Sequence, residues 1–100
     1  MVSNPAAREQ RGDSRSRFMY YVYVLKSEKD ERLYIGYSSN LKLRIKEHVD
    51  GLVKSTKNRR PILLEYYEAY NNKQLAQERE RKLKEFGSSY KGLIKRITRD

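Results

Sequence analysis

Three segments of the chain have the apolar pattern of β-strands. Residues 19–25 read MYYVYVL, residues 33–37 read LYIGY and residues 62–70 read ILLEYYEAY. β-branched, aromatic and aliphatic residues dominate all three, and the first is apolar enough for a strand buried on both faces. The first two segments are joined by a short polar stretch, which predicts an antiparallel hairpin.

Three further segments have the pattern of helices, at residues 41–49, 73–86 and 90–98. Asparagine or serine, the favoured N-cap residues, precedes each of them, and glycine follows the first two. The sequence therefore predicts an α+β fold with the order β-β-α-β-α-α, in which helices flank a small, three-stranded, mostly antiparallel sheet.

The first 17 residues differ from the rest in composition. They contain a proline, a glycine and four arginines but almost no large apolar side chain, so they cannot bury enough surface to become ordered. We expect residues 1–17 to form a disordered basic tail and residues 18–100 to form one folded domain.

The charge balance indicates a polyanionic partner. The formal net charge is +10, from 23 Lys and Arg against 13 Asp and Glu. Such an excess favours nucleic acid, because basic side chains release the counterions condensed on phosphates, although some basic proteins merely use this charge for solubility.

Other functions are excluded by composition. The chain contains no cysteine and one histidine, which excludes disulfides, zinc–thiolate sites, cysteine nucleophiles and histidine-rich metal sites. No apolar run approaches the roughly 20 residues of a membrane span. We therefore expect a cytoplasmic protein with no membrane partner.

The helix predicted at residues 41–49 carries titratable groups beside its apolar face. At about 100° per residue, one stripe contains Leu41, Ile45 and His48, and would contain Leu52 if the helix reached it. Arg44 lies on the flank of this stripe, one turn before His48. The pair is either a packed histidine beside a solvated arginine or part of a reactive site, and spacing alone favours the first.

The helix predicted at residues 73–86 raises a similar question. Its apolar stripe is formed by Leu75, Ala76, Leu83 and Phe86. Arg79 falls in the middle of this stripe and Glu80 at its edge. A carboxylate at such an edge can bind a hard cation such as Mg²⁺ or pair with a neighbouring cation. Spacing does not select Glu80 over Glu78.

Two short motifs on the predicted hairpin resemble the half-motifs of the GIY-YIG nucleases. Tyr21-Val22-Tyr23 is followed after ten residues by Tyr34-Ile35-Gly36. The second half-motif matches in full, whereas Tyr21 stands where the family name has glycine. The resemblance covers residues 20–97 and is closest to small stand-alone members related to the nuclease domain of the bacterial excision-repair incision enzyme.

The resemblance extends to single residues beyond the two half-motifs. Arg44 stands eight residues after Gly36, at the position of the family's catalytic arginine, and His48 stands where the family has histidine or tyrosine. Residues 76–84 resemble the helix that carries the family's metal-binding glutamate, and this alignment selects Glu80.

The resemblance implies a DNA endonuclease that uses one divalent metal ion, Mg²⁺ or Mn²⁺, held by Glu80. Arg44 would stabilise charge in the transition state, and Tyr23, Tyr34 or His48 would orient or deprotonate the attacking water, with Tyr23 the first choice. Gly36 would allow a close backbone approach to the site.

The resemblance also implies a binding role for the basic loop before the third strand. The residues that would grip the phosphate backbone without reading sequence are Lys54, Lys57, Arg59 and Arg60. Specificity would then come from the structure of branched or damaged DNA, or from a protein partner.

One departure favours a second interpretation. Many members of the family carry a late asparagine near the active site, and residues 87–100 contain none. The alternative function is therefore a non-catalytic nucleic-acid-binding module that keeps the GIY-YIG fold.

Overall fold

The computed structural model describes residues 18–98, which form one three-stranded antiparallel sheet and three helices. The elements are β1 (Tyr20–Ser27), β2 (Leu33–Ser38), α1 (Leu41–Val49), a 3-10 turn (Lys57–Arg59), β3 (Ile62–Tyr70), α2 (Lys73–Leu83) and α3 (Ser88–Thr98). The predicted α+β class and the order β-β-α-β-α-α are confirmed. The predicted tail, residues 1–17, lies outside the described residues, as do residues 99 and 100 of the predicted domain.

The sheet has the order β2-β1-β3, so the most apolar strand is central. Alternate side chains of β1 enter two separate cores, as the two-residue period of a strand requires. Val22 and Val24 pack with the buried residues of α2 and α3. Tyr23 and Leu25 pack toward α1. The central strand is therefore buried on both faces, as its composition predicts.

Both asparagine caps expected from the sequence are present. The Asn40 side chain accepts a hydrogen bond from the Leu43 backbone N–H at 3.2 Å, and the Asn72 side chain accepts one from the Leu75 N–H at 3.0 Å. After α1 the chain turns at Gly51, whose φ of 78° suits glycine.

The second and third helices differ from their predicted bounds. α2 ends at Leu83, three residues before the predicted end, and α3 begins at Ser88, two residues early. Phe86 adopts a φ of 58°, a left-handed conformation that no helix continues through. The turn therefore begins before the glycine that the sequence marks as the helix end.

Parts of both predicted apolar stripes are wrong. Leu52 is 73% exposed because α1 ends at Val49, and Leu75 and Phe86 are 52% and 62% exposed. The face of α2 that meets the sheet instead contains Ala76, Arg79, Glu80 and Leu83, spaced as neighbours on one side of a helix. No helix among the described residues is long and apolar enough to cross a membrane.

Candidate active site

The hairpin of β1 and β2 brings two tyrosines together on the face toward α1. Tyr23 is the cross-strand partner of Gly36, and Leu25 is the partner of Tyr34, so the two tyrosines are diagonal neighbours. Their ring centroids lie 6.5 Å apart. The strand register thus accounts for the meeting of the two half-motifs.

α1 adds Arg44 and His48, one helical turn apart. The Tyr23 hydroxyl is hydrogen-bonded to Nε2 of His48 at 2.9 Å, and the His48 ring lies 5.2 Å from the ring of Tyr34. Tyr23 and His48 are completely enclosed, with 1% and 0% exposure. His48 is therefore a packed residue, as spacing favours, and is also bound directly to the site.

Thr56, which the sequence analysis did not identify, completes this hydrogen-bonded chain. Its Oγ1 lies 2.7 Å from Nδ1 of His48, and the residue is 0% exposed. Tyr23, His48 and Thr56 therefore form a buried relay that fixes the histidine ring at both nitrogens. Thr56 lies in an irregular basic loop, where no periodic pattern marks a buried hydroxyl.

Gly36 makes room for the Tyr23 side chain. A Cβ atom at this position would overlap Cζ and the hydroxyl of Tyr23. Any larger residue would therefore force the ring out of its place against His48. This packing is a role for Gly36 within the protein, in addition to the close backbone approach that the resemblance implies.

Burial controls protonation at the centre. Desolvation raises the pKa of Tyr23 above 10.0 and outweighs the opposing effect of Arg44, so the phenol is protonated at neutral pH. Desolvation, with a smaller contribution from the Arg44 charge, lowers the pKa of His48 to about 4. His48 is therefore neutral at pH 7, with one donor nitrogen and one acceptor nitrogen.

Arg44 lies between the buried relay and solvent. Its guanidinium donates to the Glu47 carboxylate at 3.0 Å and keeps 38% of its side-chain surface exposed. Interaction with the Tyr23 hydroxyl, followed by that with Glu47, raises the pKa of Arg44. The arginine is thus a permanent cation that interacts electrostatically with Tyr23 and remains accessible to an incoming anion.

The structure distinguishes Glu80 from Glu78. Desolvation is the main cause of the raised pKa values of Tyr23 and Tyr37, and the negative charge of Glu80 adds a smaller contribution to both. Its side chain is 22% exposed and pairs with Lys84 at 3.0 Å. Glu78 is 55% exposed and pairs with Arg81.

Glu80 could bind a divalent cation as its single carboxylate ligand. The described residues contain no group of three or more histidine, cysteine or carboxylate side chains placed to enclose a metal. Mg²⁺, however, commonly binds through one or two carboxylates, retained waters and substrate phosphates. A single half-buried carboxylate such as Glu80 fits an ion shared with a bound phosphate.

The basic loop divides into two groups. Lys54, Lys57 and Arg60 are exposed and make no ion pair within residues 18–98. Arg59 is instead held by other residues of the protein. Its Nε donates to the Asp30 carboxylate at 2.9 Å, and its Nη2 donates to the Arg32 carbonyl. The loop borders the tyrosines through Ser55, whose hydroxyl lies 3.4 Å from that of Tyr34.

Comparison with known proteins identifies a family for this chain. Residues 19–92 match the family model described as the GIY-YIG catalytic domain. A UPF0213 protein of Clostridium perfringens is 46% identical over 74 residues, 73% of this chain and 78% of the relative. One from Staphylococcus haemolyticus is 42% identical over 73 residues, 72% and 88% of the two chains.

One solved structure is also similar to this chain. The solution structure of a UPF0213 protein from Bacillus halodurans is 31% identical, with a TM-score of 0.49, and the match covers 76% of this chain and 81% of that one.

Proposed function

This chain belongs to the GIY-YIG family, and on that premise we propose that it is a metal-dependent endonuclease that hydrolyses phosphodiester bonds in DNA. The observation that carries the proposal is the hydrogen bond of Tyr23 to His48, one helical turn from the exposed cation of Arg44. A phenol held in place beside an accessible cation is suited to a phosphate and an attacking water.

Arg44 is the residue that meets the phosphate. Hydrolysis of a phosphodiester places additional negative charge on the non-bridging oxygens, and a fixed guanidinium stabilises this charge at its site of formation. Because Glu47 and Tyr23 hold the arginine in position, little reorganisation is needed when the charge develops.

Tyr23 supports the groups that meet the attacking water, because the residue is itself 1% exposed and its hydroxyl is bonded to His48. The phenol keeps its proton at neutral pH, and His48 and Thr56 hold it in one orientation from behind. Tyr34, which is half-buried beside Tyr23, is the tyrosine positioned to contact the water. The buried relay of Tyr23, His48 and Thr56 therefore contributes by orienting groups of the site, not by accepting a proton.

Glu80 holds the divalent cation in this proposal. When bound, Mg²⁺ or Mn²⁺ supplies positive charge that polarises the phosphate and stabilises the leaving oxygen. In the structure described here, the Glu80 carboxylate instead pairs with the Lys84 ammonium at 3.0 Å.

The basic loop supports recognition of DNA structure rather than sequence. Contacts from Lys54, Lys57 and Arg60 to phosphates position a nucleic acid without reading its bases. Discrimination among substrates then depends on the shape of the DNA near the site, as in nicked, flapped or branched molecules.

The proposal is tested by incubating the protein with nicked, flapped, branched and single-stranded DNA, with Mg²⁺, Mn²⁺ or a chelator. We expect cleavage of at least one substrate with metal and none with chelator. Glu80→Ala should abolish cleavage and leave thermal unfolding unchanged, whereas the matched variant Glu78→Ala should cut normally. Cleavage that survives the chelator, or is lost only in Glu78→Ala, contradicts the proposal.

A binding module without turnover is the second candidate function. The observation that favours it is the composition of α3, which contains no asparagine among Ser88–Thr98. Arg44→Ala separates the two functions at saturating protein. If Arg44 is catalytic, Arg44→Ala should slow single-turnover cleavage by on the order of a hundredfold. In a binding module, wild-type protein cuts nothing and Arg44→Ala only weakens affinity.

A further inference from the structure

A shallow groove lies between α1 and β3, on the same face of the sheet as Tyr23. Its volume is about 510 Å³. The residues that matter here are the aromatic and apolar floor, Tyr21, Leu64 and Tyr67, and the polar rim, Ser39 and Lys42. None of these residues takes part in the mechanism proposed above.

The floor presents an exposed aromatic surface. Tyr21 and Tyr67 meet edge to face, with ring centroids 6.1 Å apart and an interplanar angle of 64°. Tyr67 is 51% exposed and Leu64 is 39% exposed. A flat ring stacked on Tyr67 would cover apolar surface that the described part of the chain leaves in contact with water.

The rim of the groove is polar and positively charged. The side chains of Ser39 and Lys42 have no partner among residues 18–98, and no carboxylate lines the groove. The N-terminus of α1, a nine-residue helix, opens at the same place. A lysine, a hydroxyl and the positive end of a helix together attract an anion such as a phosphate.

An aromatic floor beside a rim that attracts anions has the two chemistries of a nucleotide. We propose that the groove binds one unpaired nucleotide of a DNA strand, with its base stacked on Tyr67 and its phosphate at Ser39 and Lys42. Bases within a duplex have their faces covered by neighbouring pairs, so the groove selects DNA with a single-stranded segment.

The position of the groove connects it with the active site. Tyr67 is the cross-strand partner of Tyr23, and Tyr21 lies two residues from Tyr23 on the same strand. Two residues of a strand span about 7 Å. This inference rests on the proposed function, in that it places the unpaired nucleotide next to the bond that is cut.

The test measures affinity in chelator, where binding needs no turnover. Fluorescently labelled oligothymidine and a duplex of equal length are titrated with wild type, Tyr67→Ala and Tyr67→Phe. Stacking contributes about 1–3 kcal/mol per base, so Tyr67→Ala should weaken oligothymidine binding by about tenfold. Duplex affinity should stay within about twofold, and Tyr67→Phe should bind both like wild type.

A matched pair of leucines controls for the loss of apolar surface. Leu64 is the partner of Leu25 and faces the groove, whereas Leu63 is the partner of Lys26 and faces the opposite side with 46% exposure. Leu64→Ser should weaken oligothymidine binding and Leu63→Ser should not.

Three outcomes overturn the groove assignment. They are equal losses for duplex and single strand, unchanged binding by Tyr67→Ala, and a change in the sedimentation mass of free protein on Tyr67→Ala, which would make the groove an interface between two copies. The proposed nuclease function fails separately: it fails if no substrate is cut while selective binding of oligothymidine persists.

Discussion

The Glu68 carboxylate and the Arg79 guanidinium form two hydrogen bonds of 2.9 Å each, which join β3 to α2. Glu68 also accepts hydrogen bonds from the hydroxyls of Tyr66 and Tyr70 at 2.6 and 2.7 Å. This network accounts for an arginine within the sheet-facing side of α2. Because Glu80 follows Arg79, the pair fixes the helix rotation that places Glu80 on the sheet-facing side of α2.

The Glu68 network predicts loss of stability in acid. Burial alone would raise the Glu68 pKa, but hydrogen bonds from Arg79, Tyr66 and Tyr70 outweigh burial and lower it from 4.5 to about 2. A lowered carboxylate pKa stabilises the fold above the unfolded value and loses this effect as pH falls through the folded value. Glu68 alone should therefore account for a loss of about 3 kcal/mol in the free energy of unfolding by urea between about pH 4.5 and pH 2.

Glu68→Gln isolates this contribution. Asp30 also has a pKa lowered to about 2, chiefly by its hydrogen bond from Arg59, so wild-type protein loses stability in the same range for two reasons. The glutamine variant should be less stable at pH 7 and should show a flatter acid profile. Identical profiles for variant and wild type would contradict the assignment.

The sequence predicts most of this fold because caps and strand patterns are local. Asparagine caps and a glycine turn define α1, whose bounds match the prediction, as do those of β3. The grouping of Tyr23, Tyr34, Arg44 and His48 into one site was implied by the family resemblance, not by the periodicity of the sequence.

The pairings between distant segments were not predictable. Thr56 reaches His48 from an irregular loop, and Arg79 finds its partner on another element, Glu68. In both cases a polar side chain is buried because tertiary packing supplies its hydrogen-bond partner. No periodicity in the sequence encodes that partner.

Neutralising the exposed cations of the basic loop should make DNA binding less sensitive to salt. Each phosphate contact contributes roughly 0.9 to the slope of log affinity against log salt. Replacing Lys54, Lys57 or Arg60 with glutamine should reduce the slope by about that amount each. Arg59→Gln is the comparison, because Asp30 already engages Arg59 and its loss should change the slope less. Slopes unaltered in all four variants would place the contact surface elsewhere.

Gly36→Ala should destabilise the protein and disturb the site. The new methyl group would overlap the Tyr23 ring, and forcing extra volume into a packed region costs about 1–3 kcal/mol. Gly92→Ala is the control, because nothing lies within 4 Å of its added Cβ and alanine favours a helix. Thermal unfolding should therefore shift in opposite directions for the two variants. A Gly36→Ala protein as stable as wild type would show that the ring has room to move.

Thr56 should act on the reaction through His48, because it touches the imidazole and not the substrate. His48 is neutral, so its single proton lies on either Nδ1 or Nε2, and the Thr56 hydroxyl at 2.7 Å is the hydrogen-bond partner of Nδ1 in either case. Thr56→Val keeps the shape and removes that partner, leaving a buried nitrogen unpaired at a cost of about 1–3 kcal/mol. We expect altered ¹⁵N imidazole shifts and slower single-turnover cleavage, with DNA affinity unchanged. Thr56→Ser, which keeps the hydroxyl, should restore both the shifts and the rate. If Thr56→Val is destabilised but keeps the ¹⁵N imidazole shifts of the wild type, Thr56 contributes only to packing.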